Sequence, residues 1–244
     1  TAVTTGVQNT FVGGLAGDGT DDGTNNVAVG FEALSANCGS GNVILGCRAG
    51  KLTTADNNTF VGLNAGTAVT SGANNTFVGA LCGDATDDGV QNVAVGHSAL
   101  SANCGNGNVA VGGEALSPCT GAFNTALGKD AGVSVTSGSN NMFLGFQSGI
   151  TGSPGGQQTT SSDRIALGDE NVTNCHIQVD WTVASDQRDK TDFTALDLGL
   201  DFVKALAPVT YKWDKRSKYG DKTADDYDLN AQTPDGTHKE DWLD

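Results

Sequence analysis

Residues able to do chemistry are sparse in this chain, and none stands in a self-sufficient motif. Ser185 precedes Lys190 by five positions. A serine hydroxyl beside a neutral amine is a nucleophile with its base, but such a pair alone is common by chance. Asp18, Asp21 and Asp22, and again Asp84, Asp87 and Asp88, gather carboxylates of the kind that hold Ca²⁺. They recur only every fourth repeat, so they do not stack, and they read as solvated loop charge. The six cysteines include no C-x-x-C and the three histidines are scattered, so metal spacing is absent. Cys104 and Cys119 fall at nearly the same offset in consecutive repeats, close enough to bridge or to serve as small buried thiols. A metal site on His176 would need the same histidine from further copies of the chain, and no H-x-H phrase accompanies it. No metal and no cofactor is expected.

The elements that must position these residues are repeats. Nine times the chain writes Asn-x-x-(Val/Leu)-Gly with a small residue three places on, at Gly13, Gly30, Gly46, Gly62, Gly79, Gly96, Gly112, Gly128 and Gly145. The spacing is 16 or 17 residues throughout, room for one strand and its return turns, so each copy reads as one rung of a β-solenoid. A looser tenth copy, Ile165 to Gly168, follows a longer insertion. Residues 9–42 match 75–108 at an offset of 66, or four rungs, as expected if a fibre grows by duplication. Nine rungs stacked at about 4.8 Å make a rod of roughly 40 Å.

Counted from each glycine, positions −3 and −1 share one strand face and position −2 takes the other. Both are apolar: −1 is always Val or Leu, and −2 runs Phe11, Ala28, Ile44, Phe60, Phe77, Ala94, Ala110, Ala126, Phe143. A strand apolar on both faces is covered on both. One narrow roll covers one face, so the other calls for copies of the chain, and a homotrimer is expected. Large and small side chains at −2 are expected to interleave around its axis. Asn at −4 (Asn9, Asn26, Asn42, Asn58, Asn75, Asn92, Asn108, Asn124, Asn141) is positioned to form an amide ladder along the stack. NVAVG at 26–30, 92–96 and 108–112 resembles the β-roll heads of trimeric autotransporter adhesins.

Composition agrees with a fibre. Gly 35 against Pro 4, 6% aromatics and 17% charge describe a turn-dense stack rather than a globular enzyme. A net charge of −15 excludes nucleic acid and anionic membrane surfaces as partners. No apolar run approaches the roughly 18 residues that cross a bilayer. Thr1 opens the chain without Met or a signal peptide, so it reads as a fragment or processed product.

After the shaft, residues 1–149, comes a connecting region, 150–184, with a Gly/Ser/Thr/Gln loop around Pro154 and an alternating strand from Cys175 to Val183. Composition then changes at Ser185. A helix is expected through Leu196, Leu200, Val203 and Leu206, stopped by Pro208, and a strand through Val209, Tyr211 and Trp213.

The string Ser185-Asp186-x-Arg188-x-Lys190, an apolar helix, then Leu206-x-Pro208-Val209-x-Tyr211-x-Trp213, resembles the C-terminal intramolecular chaperone auto-processing domain of phage tail spikes and tail fibres, the endosialidase type. Residues 185–244 would be its N-terminal part. The resemblance implies a Ser185–Lys190 dyad, supported by Asp186 and Arg188, that cuts once between Ala184 and Ser185 after the domain has templated a trimer. The same residues also read as a turn cap and a surface charge. The chain is thus expected to be mainly β, a trimeric β-roll of about ten short rungs followed by a small α+β chaperone segment. Its expected role is a structural virion fibre for host attachment. Its expected partners are two further copies, a host-surface receptor or glycan, and other tail or baseplate proteins. The only enzymatic activity expected is single-turnover autoproteolysis, with no external substrate. The alternative is a bacterial cell-surface trimeric adhesin carrying the same module.

Overall fold

The computed structural model describes residues 5–176 and residue 233. Ten three-residue strands follow one another: β1 (Thr10–Val12), β2 (Val27–Val29), β3 (Val43–Leu45), β4 (Thr59–Val61), β5 (Thr76–Val78), β6 (Val93–Val95), β7 (Val109–Val111), β8 (Thr125–Leu127), β9 (Met142–Leu144) and β10 (Ile165–Leu167). Each pairs in parallel with the next, in register, so the ten form one sheet in sequence order. This is the expected parallel β-solenoid, mainly β, with no helix among the described residues. The described residues of the solenoid belong to the first of two units into which the chain divides, 1–178 and 179–244.

Each rung is short because it is stopped at both ends. Position −5 takes a positive φ in every rung (Asn25, Asn57 and Asn74 at 58–61°), a left-handed turn into the strand that Asn and Gly tolerate. The Gly after the strand turns the chain out again. Its carbonyl accepts from the N–H three residues on, as in Ala33 N–H to Gly30 O at 3.3 Å. Positive φ at the third residue of that turn, Glu32 at 53° or Arg48 at 57°, gives it type II character.

One assignment of faces is corrected by the fold. Position −2, expected at the axis between chains, fills the interior of the single roll: Ala28, Ile44, Phe60, Phe77, Ala94, Ala110, Ala126 and Phe143 are wholly buried. Their partners are not across an axis but six residues on in the same rung. Phe11, Phe60, Phe77 and Phe143 lie against Gly17, Gly66, Gly83 and Gly149, while Ala28, Ala94 and Ala110 go with buried Leu34, Leu100 and Leu116. A Cβ on Gly66 would stand 2.5 Å from the Phe60 ring, so the large side chain requires the glycine. In these seven of the nine regular rungs a large side chain at one position thus goes with a small one at the other, as close packing favours. Phe60 and Phe77 stack at 5.0 Å between centroids and 9° between planes.

Candidate functional site

With −2 inside, positions −3 and −1 form the outer face of the sheet. Val12, Val43, Leu45, Val61, Val95, Val109, Leu127, Met142 and Ile165 are exposed there, with no charged residue in either row from β1 to β10. At +1, next to this face, Phe31, Leu63 and Phe146 are about half exposed, at 48%, 53% and 50%. The result is an apolar band along all ten rungs. Patches of this extent on soluble proteins mark interaction surfaces.

Beneath the band runs the asparagine column. Asn26, Asn42, Asn58, Asn75, Asn92, Asn108 and Asn124 are wholly buried and Asn141 nearly so. Each Oδ1 accepts the backbone N–H of the next rung's residue at the same position, at 2.8–3.0 Å from Asn9 through to Arg164. Each Nδ2 reaches a carbonyl of the next rung, for example Asn58 to Gly72 at 3.0 Å and Asn75 to Gly89 at 2.8 Å. Asn92 Nδ2 is the exception and has no partner. The column therefore satisfies the backbone of the turn that leads into each strand. In Asn58→Ala, the Asn75 N–H and the Gly72 carbonyl lose their partners. Unfolding free energy should fall by about 3 kcal/mol, read by chemical denaturation; a loss under about 1 kcal/mol would reduce the column to space filling.

The other candidates of the repeat region do not converge. Among the described residues no three His, Cys, Asp or Glu side chains are arranged to hold a metal ion. The acidic loops join polar stitching between rungs instead. Asp21 N–H donates to Asn37 Oδ1 and Asp87 N–H to Asn103 Oδ1, both at 2.9 Å, and the Thr70 hydroxyl donates to Asp87. Burial raises the Asp84 carboxyl above its usual range. On the opposite sign, Lys51 and Arg48 both reach the Glu32 carboxylate, at 2.9 and 3.0 Å, and hold its pKa down. His176 and Cys175 are exposed and irregular, and the strand expected from Cys175 to Val183 otherwise lies outside the described residues.

Cys38, Cys82, Cys104 and Cys119 are buried and unbridged, while Cys47 is exposed. The Thr20 and Thr86 hydroxyls share hydrogen bonds with Cys38 and Cys104 sulfurs at 3.0 and 3.3 Å, one pair in each half of the duplication. Burial pushes Cys82 up to about 12 and Cys119 to about 11, from an ordinary 9.0. Between pH 9 and these values the unfolded thiols ionise while the folded ones stay protonated, so stability should fall as pH rises. Denaturation midpoints at pH 8 and pH 10.5 check this, and Cys82→Ala with Cys119→Ala should flatten the decline.

Ala184, Ser185, Asp186, Arg188 and Lys190 lie outside the described residues, as do the expected helix and strand after them. Residues 185–232 match the Peptidase S74 family, chaperone of endosialidase. The comparisons with curated proteins and with solved structures returned no match. The chain thus joins a parallel β-solenoid to a chaperone-of-endosialidase module whose match begins at Ser185.

Proposed function

We propose that this chain is the shaft and assembly module of a homotrimeric virion fibre, a tail fibre or tail spike that serves host attachment. The observation that carries the reading is an uncovered apolar sheet face running through ten rungs in the same chain as a chaperone-of-endosialidase match. Three chains turning that face inward remove it from water, the dominant favourable term in association. The remaining surface carries the acidic excess, which keeps neighbouring fibres apart. Its partners are then a receptor or glycan on the host surface and other tail or baseplate proteins.

The chaperone module ends its work by cutting itself off before Ser185. Ser185 Oγ attacks the carbonyl of Ala184 through a five-membered ring, an intramolecular geometry with high effective molarity. Lys190 takes the hydroxyl proton, for which it must be neutral, a state that burial and the Arg188 charge would favour. The amide nitrogen leaves protonated, an ester joins Ala184 to Ser185 Oγ, and water hydrolyses it to a carboxylate and a free Ser185. If trimerisation supplies that burial, cleavage becomes a checkpoint on assembly.

The likeness of NVAVG to autotransporter heads favours a second reading, a cell-surface trimeric adhesin with the same module. Cleavage is tested by expressing the chain in its natural full length beside Ser185→Ala and Lys190→Ala. On a denaturing gel the natural chain should split into fragments ending at Ala184 and starting at Ser185, and both variants should stay whole. Identical full-length bands in all three would end the dyad proposal.

A further inference from the structure

On the outer face near the end of the stack, Phe123, Thr125, Asn140, Met142, Asp163 and Ile165 line an open cavity of about 280 Å³. Phe123 is out of keeping with its position. At −5 every other rung places Gln, Asn, Gly or Asp, yet here a phenylalanine takes a φ of 59° and stays 64% exposed. Its ring lies along Gly107 of the preceding rung, where an added Cβ would come within 2.8 Å. The φ is common to all the −5 residues, so it is the uncovered aromatic ring, at a position given elsewhere to glycine or a polar residue, that marks a contact residue. Asn140 donates to the Asp163 carboxylate at 2.6 Å and fixes the polar rim. On the other side of the same face, at +1, Phe146 projects half exposed, with Lys129 Nζ 5.7 Å above its ring.

We propose that the cavity receives Phe146 of the partner subunit and sets the axial register of the trimer; the inference rests on the homotrimeric reading above. A threefold axis along the fibre relates chains by rotation without translation, so contacting groups from the two sides of the face sit at one height. The cavity spans β8 to β10 and is centred on β9, and Phe146 follows β9 two residues after its last strand position. The heights agree. The contact is heterologous, one side of each chain against the other side of the next, and closes after three. Phe123, Met142 and Ile165 offer the ring an apolar wall, Asn140, Asn141, Asp163 and Arg164 border it, and the cavity is continuous with the band that the proposed trimer buries.

Disulfide trapping tests it on the full chain, with Cys47 and Cys175 replaced by serine. Thr125 opens β8 and Lys129 lies two residues past its end, in the same rung; the extended run from Thr125 to Gly128, about 10 Å, holds the two beyond disulfide reach within one subunit. In Thr125→Cys/Lys129→Cys, mild oxidation should give covalent trimers, about tenfold above either single variant, and Phe146→Ala should reduce the yield several-fold. A species of trimeric mass that cross-links no better than the single variants would overturn this proposal and leave the trimeric shaft standing. A species of monomeric mass would overturn both. Cross-linking unaffected by Phe146→Ala would overturn the role of the phenylalanine.

Discussion

Gly62→Ala should cost at least about 4 kcal/mol and drive the chain into the insoluble fraction, whereas Gly14→Ala should change stability by under about 0.5 kcal/mol. Gly62 has a φ of 144°, and a Cβ there would stand 2.3 Å from the carbonyl oxygen of Gly79 in the next rung. That oxygen is backbone and cannot swing aside. Gly79 N–H is already bonded to Val61 O at 2.8 Å, so the two rungs are pinned at strand spacing. The clash is systematic: from Gly13 to Gly128 the added Cβ would lie 2.1–2.6 Å from the next glycine's carbonyl group. Gly14 is a fair control because its Cβ would meet only the Phe31 ring, at 3.5 Å, an ordinary contact. Equilibrium denaturation of the two variants decides it. A Gly62→Ala chain within about 1 kcal/mol of the natural one would mean the rungs are not stacked at this register.

Val61→Glu combined with Val95→Glu should abolish assembly while leaving the rung stack intact. Both valines sit on the outer face, 36% and 38% exposed, and neither fills the roll. In a single chain the carboxylates remain in water, and surface changes of this kind stay within about 0.5 kcal/mol. In a trimer each brings a charge to a dry axis beside its two symmetry copies, at several kcal/mol per buried ion. The expected result is an unchanged β signature by circular dichroism with mass falling to that of one chain. An intact trimer would place the subunit contact on another face.

The architecture was largely legible because the repeat phrase names the strand. All ten strands fall on positions −3 to −1, the looser copy at Ile165–Leu167 included. The inside of the roll was not legible from alternation, which separates two faces without saying which is buried. The deciding signal was local but at a distance of six residues: Phe at −2 accompanies Gly at +4, as at Phe77 and Gly83, and Ala accompanies Leu, as at Ala94 and Leu100. Among the nine regular rungs only Ile44 with Gly50 and Ala126 with Gly132 depart from it, and at Gly132 the neighbouring rungs supply Leu116 and Phe143. For the asparagines the repeated type pointed to side-chain stacking, while the main acceptor role, toward the next rung's backbone N–H, depends on register and appears only in the fold. The roles of Ser185 and Lys190 rest on likeness to a family, because a five-residue interval fixes neither distance nor burial.

On the proposed function this solenoid is one third of a shared core, closed by its −3/−1 face. Light scattering on the Ser185→Ala chain, which the account holds uncut, tests it most directly. A single species of three times the 24.7 kDa chain mass is predicted, stable to dilution and lost in the Val61→Glu/Val95→Glu variant. A folded species of one chain mass, with its outer face left open to water, would contradict it.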